Sequence, residues 1–157
     1  MKPPLLLRDL DLGREFNPLT FPITDALVDA FCDATGETNP LFLDAGAARA
    51  AGFAARVAPP GLAGIFGRQA YLRDYAMPPG GVLAGQSIDF HGPAFVGDTL
   101  EVRAKVVARD EHKGRPRVTI QSVARRPGGE AVATVRVVAL WPLDPVPESP
   151  ASESRRA

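Results

Sequence analysis

The sequence predicts an α+β domain, because apolar residues follow a helical period in its first half and a strand period in its second. Over residues 23–34, apolar residues recur at the spacing of an amphipathic helix. After a break rich in glycine and proline at 77–81, apolar residues alternate with polar ones, as in strands with one wet face. Helices followed by an antiparallel meander indicate a sheet that wraps one largely apolar helix.

Three helices are predicted in the first half. Thr24 is placed to cap the first helix and Gly36 to end it. Asp44 is placed to cap a short second helix. The third begins at the Pro59-Pro60 pair, because proline lacks an N–H that would be unpaired at this position anyway. Three acidic residues of the first helix form what we interpret as a solvated edge: Asp25, Asp29 and Asp33.

Glycine recurs at every third residue of the third helix, at Gly61, Gly64 and Gly67. Each glycine costs ~1 kcal/mol of helix propensity relative to alanine. We therefore expect this helix to approach a sheet or a ligand closely.

Four strands are predicted in the second half, over residues 82–90, 100–108, 117–124 and 131–141. A Pro-Gly-Gly turn at 127–129 joins the last two as a hairpin. His112 lies in a polar hairpin loop at 110–114 and is assigned no role. From Leu143 the chain is rich in proline and serine, so we expect one domain over 1–142 and a disordered tail over 143–157.

The composition excludes several classes of function. Eighteen basic and eighteen acidic residues give a net charge of zero, which argues against binding to nucleic acid or to an anionic membrane. The two histidines and the one cysteine lack the spacing of metal ligands, so no metal site is predicted. The sequence also lacks a phosphate- or dinucleotide-binding motif, so no cofactor is predicted. We predict a cytoplasmic location from three features. The chain has a lone cysteine, its apolar runs are too short to span a bilayer, and it lacks a signal-peptide core.

Five short motifs carry the most information: TGETNPLFLD (35–44), GF (52–53), RVAPPG (56–61), SIDFHGP (87–93) and VGDTL (96–100). In type and order they resemble the MaoC-like hotdog-fold family of acyl-thioester hydratases and dehydratases, over residues from about 20 to 141. The A-P-P version is most similar to the branch with N-terminal MaoC dehydratase domains and subunits of heterodimeric acyl dehydratases. The resemblance implies a hotdog fold, in which an antiparallel sheet wraps a central helix and a segment overhangs after the first helix.

The resemblance also implies a reaction. Adding water across the double bond of an enoyl thioester needs a base, an acid and N–H donors at the thioester oxygen. In active members an aspartate and a histidine five residues later form the acid–base pair. Here Glu37 and Phe42 occupy these positions, and phenylalanine transfers no proton. Pro59-Pro60 stands where active members have His-Gly, so a donor at the helix end must come from Gly61 or beyond.

The catalytic candidates are therefore Glu37, Asn39 and His91. Each has a structural alternative: a surface acid at a helix end for Glu37, a turn for Asn39-Pro40, and a hydrogen-bonded structural residue for His91. Asp44 is interpreted as a helix cap rather than a catalyst.

The substrate-binding candidates are Phe42, Arg56, Val57, Ala58, Pro59, Pro60 and Gly61. Phe42 is interpreted as a wall of the acyl pocket or as an ordinary core aromatic. Arg56 is placed to meet a phosphate of CoA or of a carrier protein, and its alternative is a solvated loop charge.

The resemblance thus predicts a hydro-lyase, or a subunit of one, that acts in fatty-acid metabolism on 2-enoyl or 3-hydroxyacyl thioesters of CoA or acyl-carrier protein. It works as a homodimer or as a heterodimer with a second hotdog chain. The first alternative is a non-catalytic subunit that holds the acyl chain while its partner supplies the Asp–His pair. The second alternative is a hotdog thioesterase, in which Glu37 activates water for attack on the carbonyl.

Overall fold

A computed structural model describes residues 1–145 as one antiparallel sheet with helices packed on one face. The strands are β1 (Leu19–Pro22), β2 (Val82–Phe90), β3 (Thr99–His112), β4 (Arg115–Arg125) and β5 (Ala131–Leu140), and their order in the sheet is β1-β3-β4-β5-β2. The α-helices are α1 (Asp25–Thr35), α2 (Pro40–Leu43), α3 (Ala45–Ala50) and α4 (Leu62–Leu72). The predicted α+β class is confirmed. Within residues 1–145, no helix combines the length and the apolar character needed to cross a membrane.

The central helix α4 packs against the inner face of the sheet and contacts β3, β4 and β5. A Cβ atom added at Gly67 would lie 2.8–3.0 Å from three side-chain atoms of Val135 on β5. The buried hydroxyl of Ser122 on β4 donates a hydrogen bond to the carbonyl of Gly67, at 2.8 Å. The close approach expected from the glycine spacing is therefore present at Gly67, and the sheet is the partner.

The other two glycines of this series differ from Gly67. A Cβ at Gly61 would lie 2.6 Å from the ring of Phe31 on α1, so a helix is the close neighbour there. A Cβ at Gly64 would meet only the amide end of Gln86, at 3.3 Å. Because that side chain is flexible at its end, Gly64 is not required by packing.

Three features of the strands depart from the prediction. Strand β1, which pairs with β3, was not predicted, because four residues are too few for an alternating pattern to show. A bulge after Val106 shifts the register of β3, so Ala108 is exposed where the alternation placed it on the buried face. The predicted loop around His112 is also wrong, because His112 pairs with Arg115 across a two-residue turn in which both residues have positive φ.

The N-terminal segment is attached to the end of the described chain. Leu5 is fully buried, and its carbonyl accepts a hydrogen bond of 2.9 Å from the indole of Trp141. The Asp144 carboxylate accepts hydrogen bonds from the backbone N–H groups of Leu7 and Arg8. Asp144 belongs to the predicted disordered tail but is held by these bonds, while residues 146–157 of that tail lie outside the described part of the chain.

Candidate functional site

An apolar cavity of about 430 Å³ opens beside the N-terminus of α4, between segment 57–60 and the end of β2. Seven phenylalanine and proline residues line it together with mainly aliphatic residues: Phe42, Phe53, Phe66, Phe90, Pro59, Pro60 and Pro93. Among residues 1–145, His91 alone brings an ionisable side chain to the border of this cavity. The volume is in the range of small-molecule sites, ~300–1,000 Å³, and the lining suits a hydrocarbon group.

The turn after α1 places Glu37 beside the cavity wall but not in it. One carboxylate oxygen, Oε1, accepts hydrogen bonds of 2.9 Å from the backbone N–H groups of Thr38 and Asn39. Asn39 in turn caps α2, because its Oδ1 accepts a hydrogen bond of 3.0 Å from the N–H of Leu41. Neither Glu37 nor Asn39 borders the cavity, and both stabilise the turn that leads to α2.

Phe42 lies in the wall of the cavity. Its carbonyl group, at the end of α2, accepts a hydrogen bond of 2.7 Å from Nε of Arg56. The thiol of Cys32 lies 4.0 Å from the same carbonyl oxygen and is 2% exposed. Burial raises the pKa of this thiol above its ordinary value, although the charge of Arg56 opposes the shift.

Arg56 does not border the cavity, and its guanidinium is paired with carboxylates rather than solvated in a loop. Only 8% of the residue is exposed, and its guanidinium donates hydrogen bonds to Asp29 at 2.6 Å and to Asp25 at 3.2 Å. Burial alone would lower the pKa of Arg56, but the hydrogen bonds and charges of Asp29 and Asp25 raise it above its ordinary value. The predicted acidic edge of α1 is exposed at all three residues, and two of them, Asp25 and Asp29, also pair with the buried guanidinium of Arg56.

The segment after Arg56 forms part of the same wall. The N–H of Val57 donates to the carbonyl of Leu41 at 3.1 Å, and the N–H of Ala58 donates to the carbonyl of Ala94 at 2.8 Å. Both Val57 and Ala58 are buried and border the cavity, and Pro59 and Pro60 extend the wall to the start of α4. Four of the predicted substrate-binding residues thus lie next to one another at the cavity.

The N-terminus of α4 offers one free donor. The N–H groups of Leu62, Ala63 and Gly64 donate to carbonyl groups three residues earlier, and Pro60 has no N–H. The N–H of Gly61 makes no hydrogen bond with residues 1–145. Gly61 itself does not border the cavity, but its neighbours Pro60 and Leu62 do.

His91 borders the cavity at the end of β2, but its ring engages the opposite face of the sheet. Nε2 of His91 lies 2.9 Å from Oγ1 of Thr134. Thr134 belongs to the outer face of β5, because the next residue, Val135, packs against Gly67 of α4. This contact is typical of a hydrogen-bonded structural residue, which is the alternative to a catalytic role for His91.

Several cavity residues were not singled out from the sequence, among them Phe53, Phe66, Phe90 and Pro93. Phe66 is one apolar residue among several on α4, whereas Phe90 and Pro93 flank His91 in the motif SIDFHGP. Phe90 is 56% exposed, a structural property that the sequence does not contain. In the described part of the chain, no three acidic, histidine or cysteine side chains cluster as metal ligands would.

A family model for the FAS1-like dehydratase domain region matches residues 11–135, which include every element from β1 to the middle of β5. The chain belongs to this family. No curated protein matches it. The match to the family model covers the turn at Glu37, the wall at Phe42 and the start of α4. The cavity therefore lies entirely within the dehydratase region.

Solved structures agree with this assignment. The MaoC-like dehydratase from Rhodospirillum rubrum is 29% identical, with a TM-score of 0.73 over 90% of this chain and 99% of that one. An (R)-hydratase from A. caviae involved in PHA biosynthesis is 26% identical, with a TM-score of 0.71 over 86% and 99%. The HadBC (3R-hydroxyacyl-ACP dehydratase) complex from Mycobacterium tuberculosis is 25% identical, with a TM-score of 0.73 over 82% and 96%. The chain is thus a MaoC-like hotdog protein of the hydratase and dehydratase type.

Proposed function

We propose that this chain is the acyl-binding subunit of a two-chain hydratase or dehydratase that acts on 2-enoyl or 3-hydroxyacyl thioesters of CoA or acyl-carrier protein. The chain holds the hydrocarbon part of the substrate in its cavity, and a second hotdog chain supplies the acid and the base. The observation that carries the proposal is a complete apolar cavity whose wall has Phe42 at the position that the resemblance assigns to the catalytic histidine.

The missing acid–base chemistry supports a binding role. Phe42 can neither accept nor donate a proton. The carboxylate of Glu37 is hydrogen-bonded within its own turn and does not border the cavity. The ring of His91 is hydrogen-bonded to Thr134 on the far side of the sheet. Of these three residues, His91 alone borders the cavity with an ionisable side chain, and its ring is engaged with Thr134.

The edge strand β2 supports a partner chain. Within the described sheet β2 pairs only with β5, and its large apolar residues Val82, Leu83 and Phe90 are 44%, 51% and 56% exposed. An open edge strand presents unpaired backbone groups on which another strand can add. Because Phe90 also lines the cavity, a chain added along this edge would approach the cavity directly.

A second candidate is a chain that is active without a different partner and uses Glu37 as its carboxylate. The observation in its favour is that Oε2 of Glu37 makes no hydrogen bond with residues 1–145, and the side chain is only partly buried. A change of side-chain rotamer would then bring a carboxylate toward the cavity.

The test is hydration of crotonyl-CoA and of a medium-chain enoyl-CoA by the purified chain, followed as loss of enoyl-thioester absorbance and paired with binding by calorimetry. We expect binding without turnover. Turnover that Glu37→Gln abolishes would contradict the two-chain proposal and support the second candidate. Release of CoA with the double bond intact would contradict both and identify a thioesterase.

A gain-of-function variant sharpens this test. Glu37→Asp combined with Phe42→His rebuilds the pair that the resemblance assigns to active members, so we expect measurable hydration by the double variant. The matched control is Glu37→Asp with Phe53→His, which places the same imidazole elsewhere in the same cavity wall. Equal activity of the two double variants would show that the position of Phe42 has no special relation to the substrate.

A further inference from the structure

Arg56 joins three parts of the protein that are separate in the sequence. Its guanidinium binds Asp25 and Asp29 on α1, and its Nε binds the carbonyl of Phe42 at the end of α2. Its own carbonyl accepts a hydrogen bond of 2.9 Å from the N–H of Val96. A buried cation with these contacts lies directly behind the cavity wall without touching the cavity.

The wall depends on such external support because α2 has only four residues. So short a helix is not stable by itself, since its hydrogen bonds do not offset the cost of nucleation. Its last carbonyl groups also lack partners within the helix, and a cation at this end is favourable. Arg56 meets both needs at the carbonyl of Phe42, the residue whose side chain faces the cavity.

The contacts suit arginine and not lysine. The planar guanidinium donates in three directions here, from Nε to Phe42 and from its two terminal nitrogens to Asp25 and Asp29. A lysine ammonium is a single point charge at the end of a flexible chain and cannot reproduce this fork.

We propose that Arg56 is a positioning residue, which holds the Phe42 wall at the distance from α4 that binding of an acyl chain requires. The proposal rests on the proposed acyl-binding function. It assigns to Arg56 an effect on the affinity for the acyl chain and not on the affinity for the CoA head group, because the side chain lies behind the wall and is only 10% exposed.

The chain offers a matched control at the other end of α4. Arg73 donates hydrogen bonds to both carboxylate oxygens of Asp74 at 3.0 Å and to the carbonyl of Pro18 at 2.8 Å. Like Arg56 it joins a carboxylate and a backbone carbonyl, although its side chain is more exposed, and it does not border the cavity. A purely structural role would make the variants Arg56→Met and Arg73→Met alike in their effect on ligands.

The experiment compares Arg56→Met, Arg56→Lys and Arg73→Met with the unaltered chain. Calorimetry gives the affinities for decanoyl-CoA and for acetyl-CoA, which share the head group and differ in the acyl chain. The rate at which Cys32, the sole cysteine, reacts with a thiol reagent such as DTNB reports opening of the wall, because its thiol lies 4.0 Å from the Phe42 carbonyl.

Both Arg56 variants should bind decanoyl-CoA about tenfold or more weakly, as expected when a hydrogen bond to a charged group is lost, with little change for acetyl-CoA. They should also react faster at Cys32. Arg73→Met should change neither the affinity for decanoyl-CoA nor the reaction rate of Cys32. Unchanged decanoyl-CoA affinity and an unchanged thiol rate in folded Arg56→Met would overturn the proposal.

Two further outcomes are informative. If Arg56→Met and Arg56→Lys do not fold, Asp29→Asn removes one charge of the cluster and should shift both readouts in the same direction by a smaller factor, and no shift would contradict the proposal. If the unaltered chain binds neither acyl-CoA, the proposed function fails. In that case the thiol rates still decide whether Arg56 holds the wall.

Discussion

Two glycines on the same helix should respond in opposite ways to the same substitution. Alanine at either Gly64 or Gly67 gains ~0.8–1.0 kcal/mol of helix propensity. At Gly67 the new Cβ would lie 2.8–3.0 Å from Val135, which is 1% exposed, whereas optimal carbon contacts are ~3.5–4.0 Å. Such overpacking costs ~1–3 kcal/mol. Because the site is buried and the neighbour is β-branched, we expect a cost in the upper part of this range. We therefore expect Gly67→Ala to lower the free energy of unfolding by about 1–2 kcal/mol net.

At Gly64 the new Cβ would meet only the end of Gln86, at 3.3 Å, and that end can move. Gly64→Ala should therefore raise the free energy of unfolding by up to ~1 kcal/mol. Urea unfolding followed by the fluorescence of the single tryptophan, Trp141, measures both changes at one fixed protein concentration.

A double-mutant cycle tests the cause of the difference. In a Val135→Ala background the atoms that crowd position 67 are removed, so Gly67→Ala should lose most of its cost there. If Gly67→Ala is as stable as Gly64→Ala, or if its cost is the same with and without Val135, close packing of α4 on β5 is not the reason for glycine at this position.

Three other substitutions test separate contacts. Trp141→Phe leaves the buried Leu5 carbonyl without its donor and should lower the free energy of unfolding by ~1–3 kcal/mol in urea followed by circular dichroism, and an unchanged value would mean that another donor replaces the indole. Asp44→Ala removes the cap of α3 and should cost ~1 kcal/mol by the same assay, whereas a cost near zero would show that the cap is dispensable. The hydrogen bonds of Arg117 hold the pKa of Asp110 below its ordinary 3.8, so this pair stabilises the fold above that pH and the stabilisation is lost as the pH falls through the lower, folded-state value. The advantage of the unaltered chain over Asp110→Asn should accordingly be small at pH 7 and vanish in acid, and an advantage that grows in acid would contradict this sign.

The ends of the helices were predictable from the sequence because capping residues mark them. Thr24 caps α1 by accepting from the N–H of Leu27, Gly36 ends it in the left-handed region, and Asp44 caps α3, each as predicted. These signals depend on neighbours within a few residues, so the sequence contains them directly. The four longer strands were predictable for the same reason, because their alternation is local.

The contacts of Arg56 were not predictable by such reasoning. Its partners Asp29 and Asp25 lie 27 and 31 residues away, and only the packing of α1 against the cavity wall brings them together. Periodicity identified both aspartates correctly as one exposed face of a helix but contained no information about the distant arginine that pairs with them. The aromatic cavity was missed in part for the same reason, since Phe53, Phe66 and Phe90 come from three separate segments.

The exposed edge of β2 has a consequence for how the chain is produced. Leu83 and Phe90 are more than half exposed on a strand whose outer edge pairs with no other strand of residues 1–145, a combination that promotes aggregation. With the proposed partner chain in short supply, this edge would stay uncovered and the chain would be lost to aggregation or proteolysis. The amount of usable protein would then follow the supply of the partner, and synthesis of the two chains together would raise the yield of this one without any change in its own sequence.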